Sequence, residues 1–314
     1  MHSSAADWFS RSTSRAGDWP IARLLADKAD TTISVVIPAR NEAPTIGGIV
    51  AGIRDRLIDE HPLVDELVVI DSDSSDNTAE LAHAAGAQVY EARAVRPELG
   101  RYPGKGEALW KSQFVTRGDV LVFIDADLTQ WGTHFVTGLL GPLLSNPSVQ
   151  LVKGFYDRLL DDGSTAHTPQ GGRVTELVAR PLLNLRWPAL SAVVQPLAGE
   201  WAIRRSTFAT LSVPVGYGIE IATLLDVFLA SGLPAVAQVD LGARAHAHQS
   251  VHDLGVMAAE VIAVAGRRLG LAEIESSELW QFDRGSEPPW RSRAVPVAER
   301  PPVISIRSDD AATG

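Results

Sequence analysis

The segment Val120–Asp127 constrains the fold more than any other feature, because five consecutive apolar residues lead into two aspartates. An uninterrupted apolar run of this length predicts a strand that is buried on both faces of a sheet. In an open α/β sheet, ligands bind beyond the carboxyl ends of the strands, where Asp125 and Asp127 would lie. Carboxylate oxygens suit Mg²⁺ and Mn²⁺, which also bind substrate phosphates. The segment predicts a metal held against a diphosphate, with a solvated turn as the alternative.

Two further strands are predicted before this segment. Ile33–Pro38 and Val64–Ile70 are rich in β-branched residues, and a helix between them runs from a Thr45 cap to about Asp59. A second helix and a short strand follow. This alternation predicts a parallel sheet with right-handed crossovers. The first strand is followed by neither a G-x-G-x-x-G fingerprint nor a P-loop, which disfavours a dinucleotide oxidoreductase and a P-loop kinase.

The acidic composition and the lack of cysteine exclude several classes of function. The 314 residues carry a formal net charge of −10, which argues against non-specific nucleic-acid binding and against an anionic membrane surface. Without cysteine there are no disulfides, thiolate metal sites or cysteine nucleophiles, which is compatible with a cytoplasmic protein. Neither a signal peptide nor a membrane span is expected, because no apolar run approaches the required length.

Two basic residues at predicted helix starts are candidate anion sites. Lys105 lies between two glycines before the helix Ala108–Thr116, and Arg173 follows two glycines before a helix expected to stop near Pro181. The free N–H groups and the dipole of a helix N-terminus favour a phosphate or a carboxylate. A surface turn with an exposed basic side chain remains the alternative at each position.

Two glutamates and two histidines are further candidates. Glu200 lies between a glycine and a tryptophan, and Glu220 opens an apolar helix. Glu220 is therefore either a partner of the helix dipole or a site group. His246 and His248 alternate along an extended segment, so their side chains point to the same side. Histidine is a common metal ligand, although two solvated histidines are the simpler explanation.

Three motifs, in this order, resemble those of GT-A-fold nucleotide-sugar glycosyltransferases: Val35–Glu42, Val69–Thr78 and Phe123–Asp127. Over residues 31–257 the chain is also similar to the actinobacterial glucosyl-3-phosphoglycerate synthase family. The segments that carry this finer resemblance are Pro103–Trp110, Gln150–Lys153, Gly172–Leu183, Gln195–Glu200, Gly216–Ile221 and Gln238–His246. The resemblance implies an α/β GT-A fold with a mostly parallel, Rossmann-like sheet and a smaller acceptor-binding half.

The resemblance implies a retaining, metal-dependent hexosyltransferase that moves glucose from UDP-glucose to 3-phospho-D-glycerate. It implies Mg²⁺ or Mn²⁺ as cofactor and a cytoplasmic homodimer that binds neither nucleic acid nor membrane. Mannosyl-3-phosphoglycerate synthase, which uses GDP-mannose, is the first alternative, because short motifs do not separate the two activities. A polyprenyl-phosphate glycosyltransferase would need a membrane acceptor. A sugar-phosphate nucleotidylyltransferase would show a glycine-rich basic loop where this chain has Pro38–Glu42.

The resemblance also implies roles for individual residues. Asp127 and His246 would ligate the metal, and Asp127, Glu220 and Lys105 would be catalytic. The acceptor would be held by Gly172, Arg173, Val174, Thr175 and His248. The nucleotide-sugar donor would contact Pro38, Ala39, Arg40, Asn41, Glu42, Ser72, Lys105, Asp125, Ala126, Tyr217, Gly218, Ile219 and Glu220.

Two points remain open within this resemblance. Arg40 stands where an apolar residue is expected in the glucosyl enzymes, so the preferred nucleobase is not settled. The sequence shows no obvious nucleophile, and we therefore expect front-side attack by the acceptor hydroxyl, with Glu220 orienting the sugar. The predicted organisation is an N-terminal arm (1–30), a nucleotide-sugar-binding half (31–156), an acceptor-binding and metal-completing half (157–275) and an extended C-terminal tail (276–314).

Overall fold

The computed structural model describes residues 3–160, 172–246, 250–271, 276–285 and 287–306. The strands of these residues are β1 (Thr13–Arg15), β2 (Ile33–Ala39), β3 (Glu66–Asp71), β4 (Gln88–Glu91), β5 (Val120–Phe123), β6 (Leu151–Leu160), β7 (Trp201–Arg204), β8 (Val213–Pro214), β9 (Val236–His246), β10 (Glu278–Phe282), β11 (Trp290–Ala294) and β12 (Glu299–Arg300). The α-helices are α1 (Ser3–Ser12), α2 (Ile21–Lys28), α3 (Ile46–Arg54), α4 (Thr78–Ala84), α5 (Lys105–Val115), α6 (His134–Ser145), α7 (Arg180–Arg186), α8 (Arg205–Phe208), α9 (Ile219–Ser231) and α10 (Val251–Arg268).

Eight of the described strands form one mixed sheet, in the order β1-β9-β6-β7-β5-β2-β3-β4. Strand β7 is antiparallel to both of its neighbours, and the other pairs in this sheet are parallel. The prediction of a mostly parallel α/β sheet is confirmed. Among the described residues, no helix is long and apolar enough to cross a membrane.

Strand β5 lies inside the sheet and is buried on both faces. Leu121 and Phe123 belong to the apolar cluster on one face, and Val120 and Val122 belong to the cluster on the other. All four side chains are fully buried. This alternation explains the continuous apolar run, because each face of a central strand needs its own apolar side chains. The strand ends directly before the segment that carries Asp125.

Two helix boundaries differ from the prediction. Thr45 precedes α3 but does not cap it; its hydroxyl donates to the carbonyl oxygen of Ala126 at 2.6 Å. The reason is that Thr45 has helical dihedral angles (φ −117°, ψ −35°), whereas a capping residue is extended. The helix expected to stop near Pro181 continues to Arg186. A wider π-helical turn, Thr175–Ala179, precedes Pro181 and relieves the clash of its ring with the preceding turn.

Both ends of the described chain pack on the central domain. Strand β1 pairs with β9, and the Trp8 indole donates to the carbonyl oxygen of Val236 at 2.8 Å. Near the C-terminus, β10 and β11 form an antiparallel hairpin, and β12 pairs with β8. The Trp110 indole on α5 donates to the carbonyl oxygen of Pro301 at 2.8 Å. The last described segment is therefore attached to the helix that begins with Lys105.

Candidate active site

One cavity of about 810 Å³ lies beyond the carboxyl ends of β2, β3 and β5. Parallel strands place the loops that follow them at one edge of the sheet, which is where α/β proteins bind ligands. Most of the predicted site residues line this cavity: Pro38, Ala39, Arg40, Glu42, Ser72, Lys105, Asp125, Ala126, Asp127, Gly172, Arg173, Val174, Thr175, Tyr217 and Glu220. Segments predicted to bind the donor and segments predicted to bind the acceptor therefore share one space.

Three predicted donor residues do not line the cavity. The side chain of Asn41 accepts from the backbone N–H of Ser75 at 2.8 Å, so it holds the neighbouring loop. Gly218 packs against Val264, and Ile219 is fully buried in the core. His248 lies outside the described residues. His246 is the last residue of β9, and its side chain lies outside the described part of the structure.

Lys105 connects two carboxylates at the centre of the cavity. It is the first residue of α5, and its Nζ lies 2.6 Å from Oδ1 of Asp125 and 2.8 Å from Oε1 of Glu220. Burial alone would lower the pKa of Lys105, but the two carboxylates outweigh it and raise that pKa. Burial likewise opposes the charge of Asp125, yet Lys105 and Arg244 hold the pKa of Asp125 below its usual range. The lysine and the aspartate are therefore both charged.

Arg244 is the functional-site residue that the sequence-based assignment missed. Its Nη2 lies 2.6 Å from Oδ1 of Asp127 and 3.2 Å from Oδ2 of Asp125. Its Nη1 lies 2.9 Å from Oε1 of the fully buried Glu200 and donates to the Tyr156 hydroxyl at 2.7 Å. The sequence offered a signal, because Arg244 precedes the histidine candidate by two residues, and residues at this spacing on a strand are expected to share a side.

Glu200 and Lys153 are buried charges behind this cluster. Burial raises the pKa of Glu200, and the neighbouring Arg244 opposes that shift. Lys153 on β6 donates to the carbonyl oxygen of Ala198 at 2.7 Å, and burial lowers the pKa of Lys153 to about 7. Gly199 follows Ala198, and a Cβ at Gly199 would overlap the carboxylate of Asp125. The backbone before Glu200 therefore packs directly against Asp125, which leaves no room for a side chain at Gly199.

A divalent cation fits the charge of this edge of the sheet. Burial and then the negative charges of Asp127 and Asp125 raise the pKa of Glu42 to about 7. Unbalanced negative charge of this kind is relieved by a cation, and carboxylate oxygens suit Mg²⁺ or Mn²⁺. Among the described residues no three side chains of metal-binding type form a cluster. A cation here would therefore need His246 or substrate oxygens besides Asp127, in keeping with diphosphate-bound metal sites.

The predicted acceptor segment also lines the cavity. Gly172 precedes the helix that begins at residue 173, and the backbone N–H of Glu176 donates to the carbonyl oxygen of Gly172 at 2.9 Å. Arg173 is exposed, whereas Val174 and Thr175 are buried. A basic side chain beside a helix N-terminus is suited to a small anion. The anion site remains a prediction.

Comparison with known proteins decides the family. Residues 34–170 match the family described as Glycosyl transferase family 2. The glucosyl-3-phosphoglycerate synthase of Mycolicibacterium smegmatis is 43% identical over 300 residues, which cover 96% of this chain and 98% of the relative. The chain belongs to the glucosyl-3-phosphoglycerate synthase family. The synthase of Petrotoga mobilis is 41% identical and matches over 90% of this chain and 89% of its own length.

Solved structures of this synthase family have the same fold. The Mycobacterium tuberculosis glucosyl-3-phosphoglycerate synthase in complex with Mn²⁺, UDP-glucose and phosphoglyceric acid superposes with a TM-score of 0.84 at 44% identity. The superposition covers 94% of this chain and 98% of that chain. The predictions of the synthase family, of an α/β glycosyltransferase fold and of a metal-dependent glycosyltransferase are therefore confirmed.

Proposed function

We propose that this synthase transfers glucose from UDP-glucose to 3-phosphoglycerate, with retention of the anomeric configuration. The observation that carries the proposal is one shared cavity, which Lys105, Asp125 and Glu220 line together with the predicted donor and acceptor segments. Relatives support the same pair of substrates, because the M. tuberculosis enzyme has been solved with UDP-glucose and phosphoglyceric acid together. In this proposal residues 31–156 form the donor half and residues 157–275 form the acceptor half.

On the donor side, we assign the nucleotide to Pro38–Glu42 and Ser72, and the sugar and diphosphate to Lys105, Asp125 and the segment Tyr217–Glu220. Asp127 and His246 would hold a divalent cation, which when bound would neutralise the charge that develops on the leaving diphosphate. The ammonium group of Lys105 is already charged and paired in the structure. It therefore fixes the carboxylates of Asp125 and Glu220 before a substrate arrives, without reorganisation during the reaction.

The chemical step in this proposal is a front-side substitution. The bond between the anomeric carbon and the β-phosphate oxygen breaks, and the acceptor hydroxyl forms the new bond on the same face while its proton passes to the departing phosphate. Glu220 orients the sugar and forms no covalent bond. Its carboxylate is held by Lys105 at 2.8 Å and is almost fully buried, which suits a fixed hydrogen-bond acceptor.

Substitution of Glu220 tests this mechanism. The Glu220→Gln variant should retain measurable transfer and should trap no covalent intermediate with UDP-glucose. Intact-protein mass spectrometry after rapid quenching measures the adduct, and wild-type protein quenched in the same way is the control. A glycosyl-enzyme adduct in either sample would contradict the front-side mechanism. An adduct found in the wild type and absent from the variant would make Glu220 the first candidate for the nucleophile.

A mannosyl-3-phosphoglycerate synthase is the second candidate function, and Arg40 is the observation that favours it. This arginine is exposed and lines the nucleotide end of the cavity beside Pro38. A guanidinium group recognises hydrogen-bond acceptors on a purine edge as readily as a phosphate. A guanine nucleotide would therefore also be accommodated at this position.

A direct transfer assay decides between these functions. The enzyme is supplied with 3-phosphoglycerate, Mg²⁺ and one of three donors: UDP-glucose, GDP-glucose or GDP-mannose. Turnover mainly with UDP-glucose is the expected result, and it should be abolished by EDTA and restored by Mg²⁺ or Mn²⁺. Preference for GDP-mannose would move the function to the second candidate. Absence of product with every donor would contradict the acceptor assignment, which depends on Gly172–Thr175.

We further propose that the synthase acts as a cytoplasmic homodimer. The resemblance to the family supports this assembly, and the lack of cysteine is compatible with a reducing compartment. Exposed apolar side chains are available for such an interface. Leu177 is 76% exposed and Leu185 is 80% exposed on the helical segment that follows the acceptor loop.

A further inference from the structure

Helix α10 packs against the segment Gly216–Gly218 more closely than a side chain would allow. A Cβ at Gly216 would overlap Oε2 of Glu260, and a Cβ at Gly218 would lie 2.6 Å from Cγ2 of Val264. Glu260 and Val264 are four residues apart on α10, so they lie on one face of the helix. Neither glycine has a positive φ, which means that close packing, and not backbone conformation, requires them. The carboxylate of Glu260 takes the place of a side chain at Gly216.

Glu260 accepts hydrogen bonds from the backbone of this segment. Its Oε2 receives the N–H of Tyr217 at 2.5 Å, and the N–H of Gly218 also interacts with the carboxylate. The side chain is only 2% exposed, and among the described residues no lysine, arginine or histidine forms an ion pair with it. A buried carboxylate without a cation has a high free-energy cost, so the groups that do contact it indicate what it is there to hold. Here they are backbone N–H groups just before α9, where a helix dipole favours negative charge.

The same segment supports the two central catalytic side chains. The N–H of Gly106 donates to the carbonyl oxygen of Gly216 at 3.2 Å, and the N–H of Glu107 donates to that of Val215 at 2.9 Å. These bonds fix the first turn of α5, where Lys105 lies. At its other end the segment leads into α9, whose second residue is Glu220. The position of residues 215–218 therefore sets the distance between the Lys105 ammonium and the Glu220 carboxylate.

We propose that Glu260 is a positioning residue for sugar transfer. It lines the same cavity, where its carboxylate accepts the backbone N–H groups of Tyr217 and Gly218 and thereby sets Tyr217 and Glu220 against the donor sugar. The inference deepens the proposed function and rests on it for the identity of the donor. Glu260 acts through backbone hydrogen bonds. Loss of these bonds should change the turnover number more than the KM for 3-phosphoglycerate, because the predicted acceptor residues belong to a different segment.

The charge of Glu260 gives a readout that a purely structural residue would not move. Burial raises the pKa of Glu260, the backbone hydrogen bonds from Tyr217 and Gly218 oppose this shift, and the carboxylate of Glu220 adds to it, so that the pKa lies at about 7. Among the described residues, the other titratable group that interacts with Glu260 is the Tyr217 phenol. A carboxyl with a raised pKa stabilises the fold fully below pH 4.5, and this contribution is lost as the pH rises through 7. Ionisation of Glu260 therefore lowers the free energy of unfolding, although the charged carboxylate still accepts the backbone N–H groups of the segment Gly216–Gly218.

The decisive variants are Glu260→Gln, which removes the charge, and Glu260→Asp, which keeps the charge but shortens the side chain. Both should lower kcat by roughly ten- to a hundredfold while the KM for 3-phosphoglycerate changes by less than about twofold. The Tm of Glu260→Gln at pH 8 should equal or exceed that of the wild type. The matched control is Glu66→Gln, since Glu66 also accepts a backbone N–H, from Arg117 at 2.7 Å, at the opposite end of the sheet.

Hydrogen exchange keeps this test independent of the donor. Amide exchange at Tyr217 and Gly218, followed by NMR or mass spectrometry in wild-type and variant enzyme, should accelerate in both Glu260 variants and stay unchanged in Glu66→Gln. Unchanged exchange, or a fall in kcat fully accounted for by a lower Tm, would overturn the proposal. If the wild type transfers no sugar with any donor, the proposed function fails, whereas the exchange result still decides whether Glu260 positions the segment.

Discussion

At the scale of single residues, the site depends on alternating charges held at short distances. Lys105 lies between Asp125 and Glu220, and Arg244 lies between Asp125 and Asp127. Each basic group pairs with two of these carboxylates in a largely buried place, where an unpaired charge would be costly. The arrangement is preorganised, because these distances are present without substrate. Removal of one member should therefore affect both catalysis and stability.

Lys105→Ala should lower kcat by roughly a hundredfold or more, because it removes a preorganised charge and leaves two carboxylates facing each other. Steady-state kinetics with UDP-glucose and 3-phosphoglycerate measures this effect. Lys28→Ala is the matched control, since Lys28 pairs with Asp65 at 2.9 Å away from the cavity. Activity of the Lys105 variant within about threefold of the wild type would contradict its central role.

The raised pKa of Glu42 predicts a pH-dependent stability. Since burial and the neighbouring aspartates raise this pKa from 4.5 to about 7, the neutral carboxyl favours the folded state. Its contribution is complete below pH 4.5 and is lost as the pH rises through 7. The metal-free Tm of Glu42→Gln should therefore decline less than that of the wild type between pH 5 and pH 8 in differential scanning calorimetry. Parallel curves for the two proteins would contradict the shift.

At the scale of secondary-structure elements, α5 connects the site to the C-terminal segment. Arg300 on β12 pairs with both carboxylate oxygens of Glu107, at 2.6 and 2.7 Å. Its guanidinium carbon also lies 4.6 Å from the Tyr102 ring centroid and 4.7 Å from that of Trp110. Both partners of the ion pair are buried. The segment beyond β11 is therefore part of the support for the helix that carries Lys105.

Arg300→Ala should lower the free energy of unfolding by about 3 kcal/mol, because it removes the bidentate partner of the buried Glu107 and leaves that carboxylate to the more distant Lys111, at 3.8 Å. Urea denaturation followed by tryptophan fluorescence measures this change. The control is Arg291→Ala on the exposed hairpin, where the arginine lies 3.9 Å from Asp283 and a change below about 1 kcal/mol is expected. Equal losses in the two variants would show that the C-terminal segment does not support α5.

The strands β2, β3 and β5, and the cavity residues that follow them, could be predicted because the sequence patterns that indicate them are local. The run before Asp125 is continuous and apolar, and the helices that flank it have clear periodicity, so β2, β3 and β5 were expected. Contacts between distant parts of the chain have no such local signal, and Arg244 and Glu260 reach their partners only through packing. Each could still have been suspected, Arg244 from its spacing to His246 and Glu260 as a carboxylate on the apolar face of α10. The helix end predicted near Pro181 was wrong, because the π-helical turn before this proline depends on tertiary context.

At the scale of the whole molecule, one mixed sheet unites the two halves that we propose to bind donor and acceptor. Strand β7 joins β5 to β6 by antiparallel pairing, so the aspartates after β5 and the arginine on β9 approach the same edge. The apolar clusters cover both faces of this sheet. Exposed leucines on the acceptor side remain available for assembly.

The proposed homodimer predicts a molecular mass that can be measured in solution. Size-exclusion chromatography with light scattering should give twice the 33.6 kDa of one chain at micromolar concentration. The double variant Leu177→Glu, Leu185→Glu should shift the population toward one chain if these exposed side chains contribute to the interface. Replacement of Ile304, which is also apolar and 56% exposed, is the matched control. A monomeric wild-type protein would contradict the homodimer.

The pairing of Glu107 with Arg300 has a consequence for synthesis on the ribosome. The two residues are separated by 193 positions. A nascent polypeptide emerges with its N-terminus first, so α5 leaves the exit tunnel long before the partner of Glu107 has been translated. The helix that carries Lys105 therefore reaches this support only after β12 has emerged. A polypeptide truncated before β12 would contain Lys105 but would lack the ion pair that holds its helix.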